Sequence, residues 1–282
     1  MEGLHLSPSE ITDRFVEAGV RKGSLPLLRM ALLGLLGGAF IAFAAEGSNV
    51  AIHTVQSVGL GKALAGALFA TGLMMVVLAG AELFTGNMIM IVSAVEGRLP
   101  WSRLLMNWSV VYLANLAGSV LIAAFILLSG QLDFSGGLLG GFTIRLAAYK
   151  TGLTFSRAFF MGILCNWLVC MAVWMAGATK DIGGKLLAIF FPIWLFIASG
   201  FEHSVANMYY IPAGILAKAD PRYLTQAFEM GVSAASLDNL NWMTFVTRNL
   251  VPVTLGNMVG GIVFVGLIFW ISFPPKRTGG AG

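Results

Sequence analysis

The stretch "LLAIFFPIWLFIASGFEHSVANMYYIP", residues 186–212, decides the fold. It begins as one of the most apolar runs in the chain, and a bilayer crossing takes roughly 20 helical residues. Within it Glu202 and His203 stand side by side. Ionisable groups at membrane depth are costly, so they face a bundle interior or a water-filled path. Gly200 and Pro212 flank the pair and make a break in the helix chemically reasonable. The stretch therefore reads as an interrupted span.

The rest of the chain is of the same kind. Of 282 residues, 57% are hydrophobic and only 11% charged, with a mean hydropathy of +0.84. Soluble domains carry about 25% charged residues. Nothing alternates in the ten-residue strands of a membrane barrel. Six helical spans are expected, at 27–45, 62–95, 104–128, 157–178, 186–217 and 244–272. The second and fifth are too long for one crossing. They contain "GAELFTGNM" (80–88) and "GFEHSVANM" (200–208).

Those two segments share Gly, Glu, Asn and Met at identical spacing. "NWSVVYLANLAG" (107–118) and "NLVPVTLGNMVG" (249–260) share N-x7-N-x2-G, and Arg29 with Gly34 matches Arg157 with Gly162. Three matches in one order indicate an internal repeat. Each half has an odd number of spans, so the second is inverted relative to the first. The fold class is thus an all-α membrane protein of six transmembrane helices, as two inverted three-helix repeats with broken second and fifth helices. Such breaks meet near the midplane, where a transporter places its substrate site. Gly80 and Gly86 are the candidate breaking residues in the first half. Most of the 35 glycines serve close helix packing.

Three parts are expected: an amphipathic helix within 1–26, a transmembrane domain at 27–273 and a short tail at 274–282. "SPSEITDRFVEAGVRK" (7–22) places Ile11, Phe15 and Ala18 on one face, as for a helix lying along the membrane surface. Its charges and lack of an apolar core do not fit a cleavable signal. Arg14, Arg21, Lys22, Arg29, Arg98, Arg103, Lys180, Lys185, Lys276 and Arg277 fall on the side of both termini. The positive-inside rule makes that side cytoplasmic, and the location a cytoplasmic (inner) membrane. A net charge of +4 is ordinary for such loops and gives no case for nucleic acid.

Of three histidines only His203 lies at depth, and Cys165 and Cys170 lie on another span. That set is too small for a metal site. No GxSxG, HExxH or Cys–His arrangement points to an enzyme, and no cofactor is implied. His203 alone could be a structural hydrogen-bonding residue. Its place at a break, opposite Thr85 of the other break, favours a pore residue able to donate to a passing anion. Glu82 and Glu202 read mostly as groups that orient the breaks. Lys150, in "RLAAYKTGLTFSR" (145–157), reads equally as an interfacial lysine or as part of a positive funnel that concentrates anions.

"GAELFTGN", "CNWLVCMAVW", "GFEHSVANM" and "NLVPVTLGNMVGG" together resemble the formate/nitrite transporter family, from about residue 10 to 273. The resemblance implies an aquaporin-like arrangement of the six helices and a homopentamer with one pore per protomer. It implies passage of small monovalent anions: formate, nitrite or hydrosulfide. By resemblance His203 is the central pore histidine and Thr85 the threonine facing it. Lys150 and Asn166 are the lysine and asparagine along the path. Phe69, Leu73, Leu83 and Phe196 match the apolar constrictions. No residue chooses among the three anions, and formate is the favoured expectation.

Other functions fit less well. An aquaporin-like neutral-solute channel would carry paired Asn-Pro-Ala motifs, where this chain has "GNM" and "ANM". A membrane scaffold or sensor would be expected to carry a sizeable soluble domain.

Overall fold

The computed structural model describes residues 5–275. Residues 1–4, and 276–282 of the expected tail, lie outside the described residues. The order is α1 (Pro8–Gly23), α2 (Leu27–Ile52), α3 (Val58–Ala79), α4 (Gly86–Val95, beginning as a 3₁₀ turn), α5 (Trp101–Leu128), α6 (Leu138–Thr151), α7 (Phe155–Gly177), α8 (Ile182–Ser199), α9 (Ser204–Ala217), α10 (Pro221–Glu229), α11 (Ala234–Asp238) and α12 (Trp242–Ser272). Six of these, α2, α3, α5, α7, α8 and α12, are long and apolar enough to cross a membrane. Leu28, Leu113, Phe125, Leu187 and Phe191 project outward from them, as lipid-facing residues do.

Both long spans are broken, and in the same way. α3 stops at Gly80, whose φ of +76° only glycine adopts without penalty, and Ala81 N–H reaches back to the Val76 carbonyl at 3.0 Å. α8 stops at Gly200, φ +75°, and Phe201 N–H reaches back to Phe196 at 3.2 Å. Two of the expected breaking residues do not act so. Gly86 is not in the left-handed region and has room for a methyl, with its nearest neighbour at 3.6 Å. Pro212 lies inside α9 without ending it. Gly86→Ala should therefore leave the thermal stability of the purified protein near wild type. Gly200→Ala should lower it by about 1–2 kcal/mol, the cost of a left-handed non-glycine residue. Equal melting of the two variants would count against this assignment.

Backbone freed by a break must be satisfied inside the protein. Two asparagines do this, by one pattern. Asn115 Nδ2 donates to Gly34 O (2.6 Å) and Glu82 O (3.0 Å), and its Oδ1 accepts from Phe84 N–H (2.9 Å). Asn257 Nδ2 donates to Gly162 O (2.8 Å) and Glu202 O (3.0 Å), and its Oδ1 accepts from Ser204 N–H (2.9 Å). These are the second asparagines of the two N-x7-N-x2-G segments. The glycines that follow hold the helices together: a Cβ on Gly118 would lie 2.0 Å from Leu35 O, and one on Gly260 2.3 Å from Ile163 O.

The amphipathic helix α1 packs on the rest of the protein. It docks on α4, α5 and α7. Arg14 Nη1 donates to Gly177 O at 2.9 Å, Phe15 stacks on Trp174 at 4.9 Å, and Ser93 Oγ donates to Val16 O at 2.8 Å. Gly19 makes the approach possible, since its Cβ would fall 2.0 Å from Ser93 Oγ. Protein contacts thus cover the face that the sequence alone assigns to lipid.

Candidate functional site

The two breaks face each other through their side chains. His203 caps α9, its Nδ1 accepting from Ala206 N–H at 3.1 Å. Neutral imidazole then carries its proton on Nε2, which lies 2.8 Å from Thr85 Oγ1. The Thr85 carbonyl is held in turn by Asn166 Nδ2 at 3.2 Å and Cys170 Sγ at 3.3 Å. Asn166 Nδ2 also donates to Asn257 O at 2.7 Å. All four side chains are buried.

Apolar groups surround this contact. Phe69 meets Phe196 edge-on at 5.7 Å, and both rings approach His203, at 6.5 and 6.0 Å. Leu73 and Leu83, each 2% exposed, line a cavity of about 250 Å³ beneath α1, with Phe15, Lys22, Glu82 and Asn87. A second cavity, of about 290 Å³, is lined by Lys62, Arg145, Lys150, Glu202 and Tyr210 among others. Thr85 follows the first cavity's Leu83 by two residues, and His203 directly follows the second cavity's Glu202. The His203–Thr85 contact belongs to neither lining, but each of its residues is within two positions of a residue that lines one of them.

Each cavity holds an ion pair of the same design, buried at Lys150–Glu202 and part-buried at Lys22–Glu82. Lys150 Nζ lies 2.7 Å from Glu202 Oε1, and Glu202 Oε2 accepts from Asn207 (2.7 Å) and Asn249 (3.3 Å). Asn249 also donates to Lys150 O at 3.1 Å. On the α1 side Lys22 Nζ lies 2.8 Å from Glu82 Oε1, Asn87 donates to Glu82 Oε2 at 2.7 Å, and Asn107 donates to Lys22 O at 3.4 Å. Lys22 therefore stands to Glu82 as Lys150 stands to Glu202. In this sense α1 and α6 correspond, each ending in the lysine that reaches a break.

The structure brings His203, Thr85, Asn166, Phe69 and Phe196 together, with Lys150 and Glu202 beside them, while Leu73 and Leu83 line the cavity beneath α1. Lys150 is not a free cation, because Glu202 occupies it. Sequence reasoning missed Lys22, Asn107, Asn249 and Cys170 as site residues. Lys22 was findable: it precedes Lys150 by the same 128 positions that separate Gly34 from Gly162. Cys170 was findable only as the residue one helical turn beyond Asn166.

A formate/nitrite transporter sequence profile matches residues 9–271. The chain is 36% identical to the formate channel FocA of Escherichia coli K12, over 95% of this chain and 94% of that protein. It is 38% identical to FocA of Haemophilus influenzae, over 95% and 94%. A solved pentameric formate channel with formate bound superposes with a TM-score of 0.77 at 35% identity, covering 88% of this chain and 97% of that one. With six spans, two matched breaks and this coverage, the chain is a multi-pass membrane protein that belongs to the formate/nitrite transporter family.

Proposed function

We propose that the protein passes small monovalent weak-acid anions, formate foremost, through the contact between His203 and Thr85. The observation that carries this reading is the 2.8 Å hydrogen bond between these two side chains, with Phe69 and Phe196 against His203 and a cavity near each of the two breaks. The relatives named as formate channels support formate over nitrite and hydrosulfide, which remain the alternatives.

The physics is that of a charged group meeting a dry constriction. A bare carboxylate stripped of water loses far more free energy than its neutral acid. His203 Nε2–H donates to Thr85 Oγ1, which leaves the Thr85 hydroxyl hydrogen to point at a passing oxygen. Hydrogen bonding or proton transfer from this relay offsets the anion's charge where water cannot. Asn166 and Cys170 fix Thr85 through its carbonyl. Phe69, Leu73, Leu83 and Phe196 exclude water. Lys150 and Glu202 act as a pair that holds the second break in place.

We place the protein in the cytoplasmic membrane as a homopentamer, with both termini cytoplasmic. The charge bias of the loops and the pentameric relative support this placement. Its role is transport rather than catalysis.

Stopped-flow uptake in proteoliposomes tests the reading, with formate, nitrite, hydrosulfide and chloride at two pH values. Wild type should favour one weak-acid anion, more strongly at low pH. His203→Asn should slow formate about a hundredfold or more, the scale of a lost proton-transfer group, and flatten the pH dependence. An unchanged pH profile in that variant would sink the proposed relay.

A further inference from the structure

The two cavities differ in charge. Among the described residues, the charged groups lining the cavity beneath α1 are Lys22 and Glu82, which cancel. The opposite cavity is lined by Lys62, Arg145 and Lys150 against the single carboxylate of Glu202, an excess of two positive charges. Lys150 and Glu202 hold each other at 2.7 Å with 9% and 2% of their side chains exposed. The excess therefore resides on Lys62 and Arg145, both of which are exposed.

Neither has an acidic partner in contact among the described residues. The Arg145 guanidinium rests over the Phe142 ring at 5.2 Å, on α6. Lys62 rises from the first turns of α3, and its Nζ lies 3.0 Å from where a Cβ of Gly200 would be. The ammonium thus hangs directly over the second break, within the field of both Lys150 and Glu202. Gly200 serves two ends there: it takes the left-handed conformation, and it leaves room for the ammonium.

We propose that Lys62 and Arg145 form an anion-recruiting subsite in the cavity opposite α1, for a small singly charged carboxylate or oxoanion. The proposal rests on the transport reading above. The subsite gathers the anion from bulk solution and presents it at the break, one step before the His203–Thr85 contact. Lys150, already neutralised, is not the recruiting charge. Because the cavity beneath α1 carries no such excess, loading is asymmetric: the far side fills at lower anion concentration than the α1 side.

The test uses labelled formate uptake into right-side-out and everted membrane vesicles, with Lys62→Gln, Arg145→Gln and the double variant, at low and high potassium gluconate. Loading from the side opposite α1 at low salt should need about threefold more formate for half-saturation per cation removed, the scale of one unit charge acting across a few ångströms of water. The difference should vanish at high salt, since charges in water are screened beyond a Debye length of about 8 Å or less. Lys62→Arg should restore wild-type half-saturation, and loading from the α1 side should not change. An equal shift from both sides would overturn the subsite. So would no shift, or one that persists at high salt, which would mean Lys62 acts by packing over Gly200. Absence of wild-type formate flux would overturn the channel reading, and this subsite with it. Wild-type flux with an unaltered Lys62→Gln overturns the subsite alone.

Discussion

Lys150→Met should destabilise the protein by about 3–5 kcal/mol, the cost of leaving a buried charge without its partner. Glu202 is 1% exposed. Without the ammonium its Oε1 loses the 2.7 Å contact, while Oε2 keeps only two asparagine amides. The loss should be insensitive to salt, because the pair is shielded from solvent. A steering lysine would behave in the opposite way. Lys150→Met combined with Glu202→Gln should recover much of the stability, because no charge is then stranded. Lys22→Met should be milder, since the Lys22 side chain is 33% exposed and water can replace it at Glu82. Heating purified protein and measuring the folded fraction by size-exclusion chromatography gives the comparison. A single Lys150→Met variant that melts like wild type would show that the pair contributes little.

Alanine at Gly118 or Gly260 should be nearly as damaging. A Cβ at these positions would fall 2.0 Å from Leu35 O and 2.3 Å from Ile163 O. The obstacle is backbone, so no side chain can swing aside, and α5 must move off α2, or α12 off α7. Overpacking costs about 1–3 kcal/mol or more. Here the shift also pulls Asn115 or Asn257 away from the break it satisfies. Gly47→Ala is the control, since a methyl there meets nothing within 4 Å and should be neutral or slightly stabilising. Folded yield and melting of the three variants test this. Gly118→Ala matching Gly47→Ala would mean that the helices have slack.

Much of this was legible before any coordinates. The spans follow from hydropathy, and the breaks from polar residues that lipid would not tolerate. His203 and Thr85 stood out because nothing generic puts them at that depth. What the spacing could not tell was which distant groups satisfy which. Lys22 meets Glu82 across 60 positions, and no local periodicity encodes that. The expected first span stops at 45, yet α2 runs on to Ile52 with the polar Glu46 and Asn49 buried against the protein. The protein contacts of α1 were not legible for a similar reason, because its apolar face suits lipid and protein equally.

The broken spans also arrange the main-chain dipoles. α3 and α8 end at Gly80 and Gly200, which line the two cavities. Water there can screen the partial negative charge of their carbonyl ends. α4 and α9 begin beside Thr85 and His203, among apolar side chains. The partial positive charge of a helix start, about half a unit, is not screened in such surroundings. The polypeptide backbone therefore presents its positive poles where the path is dry and hides its negative poles where it is wet. In the transport reading proposed above, the main chain itself then disfavours cations at the centre, and the side chains are left to choose among anions.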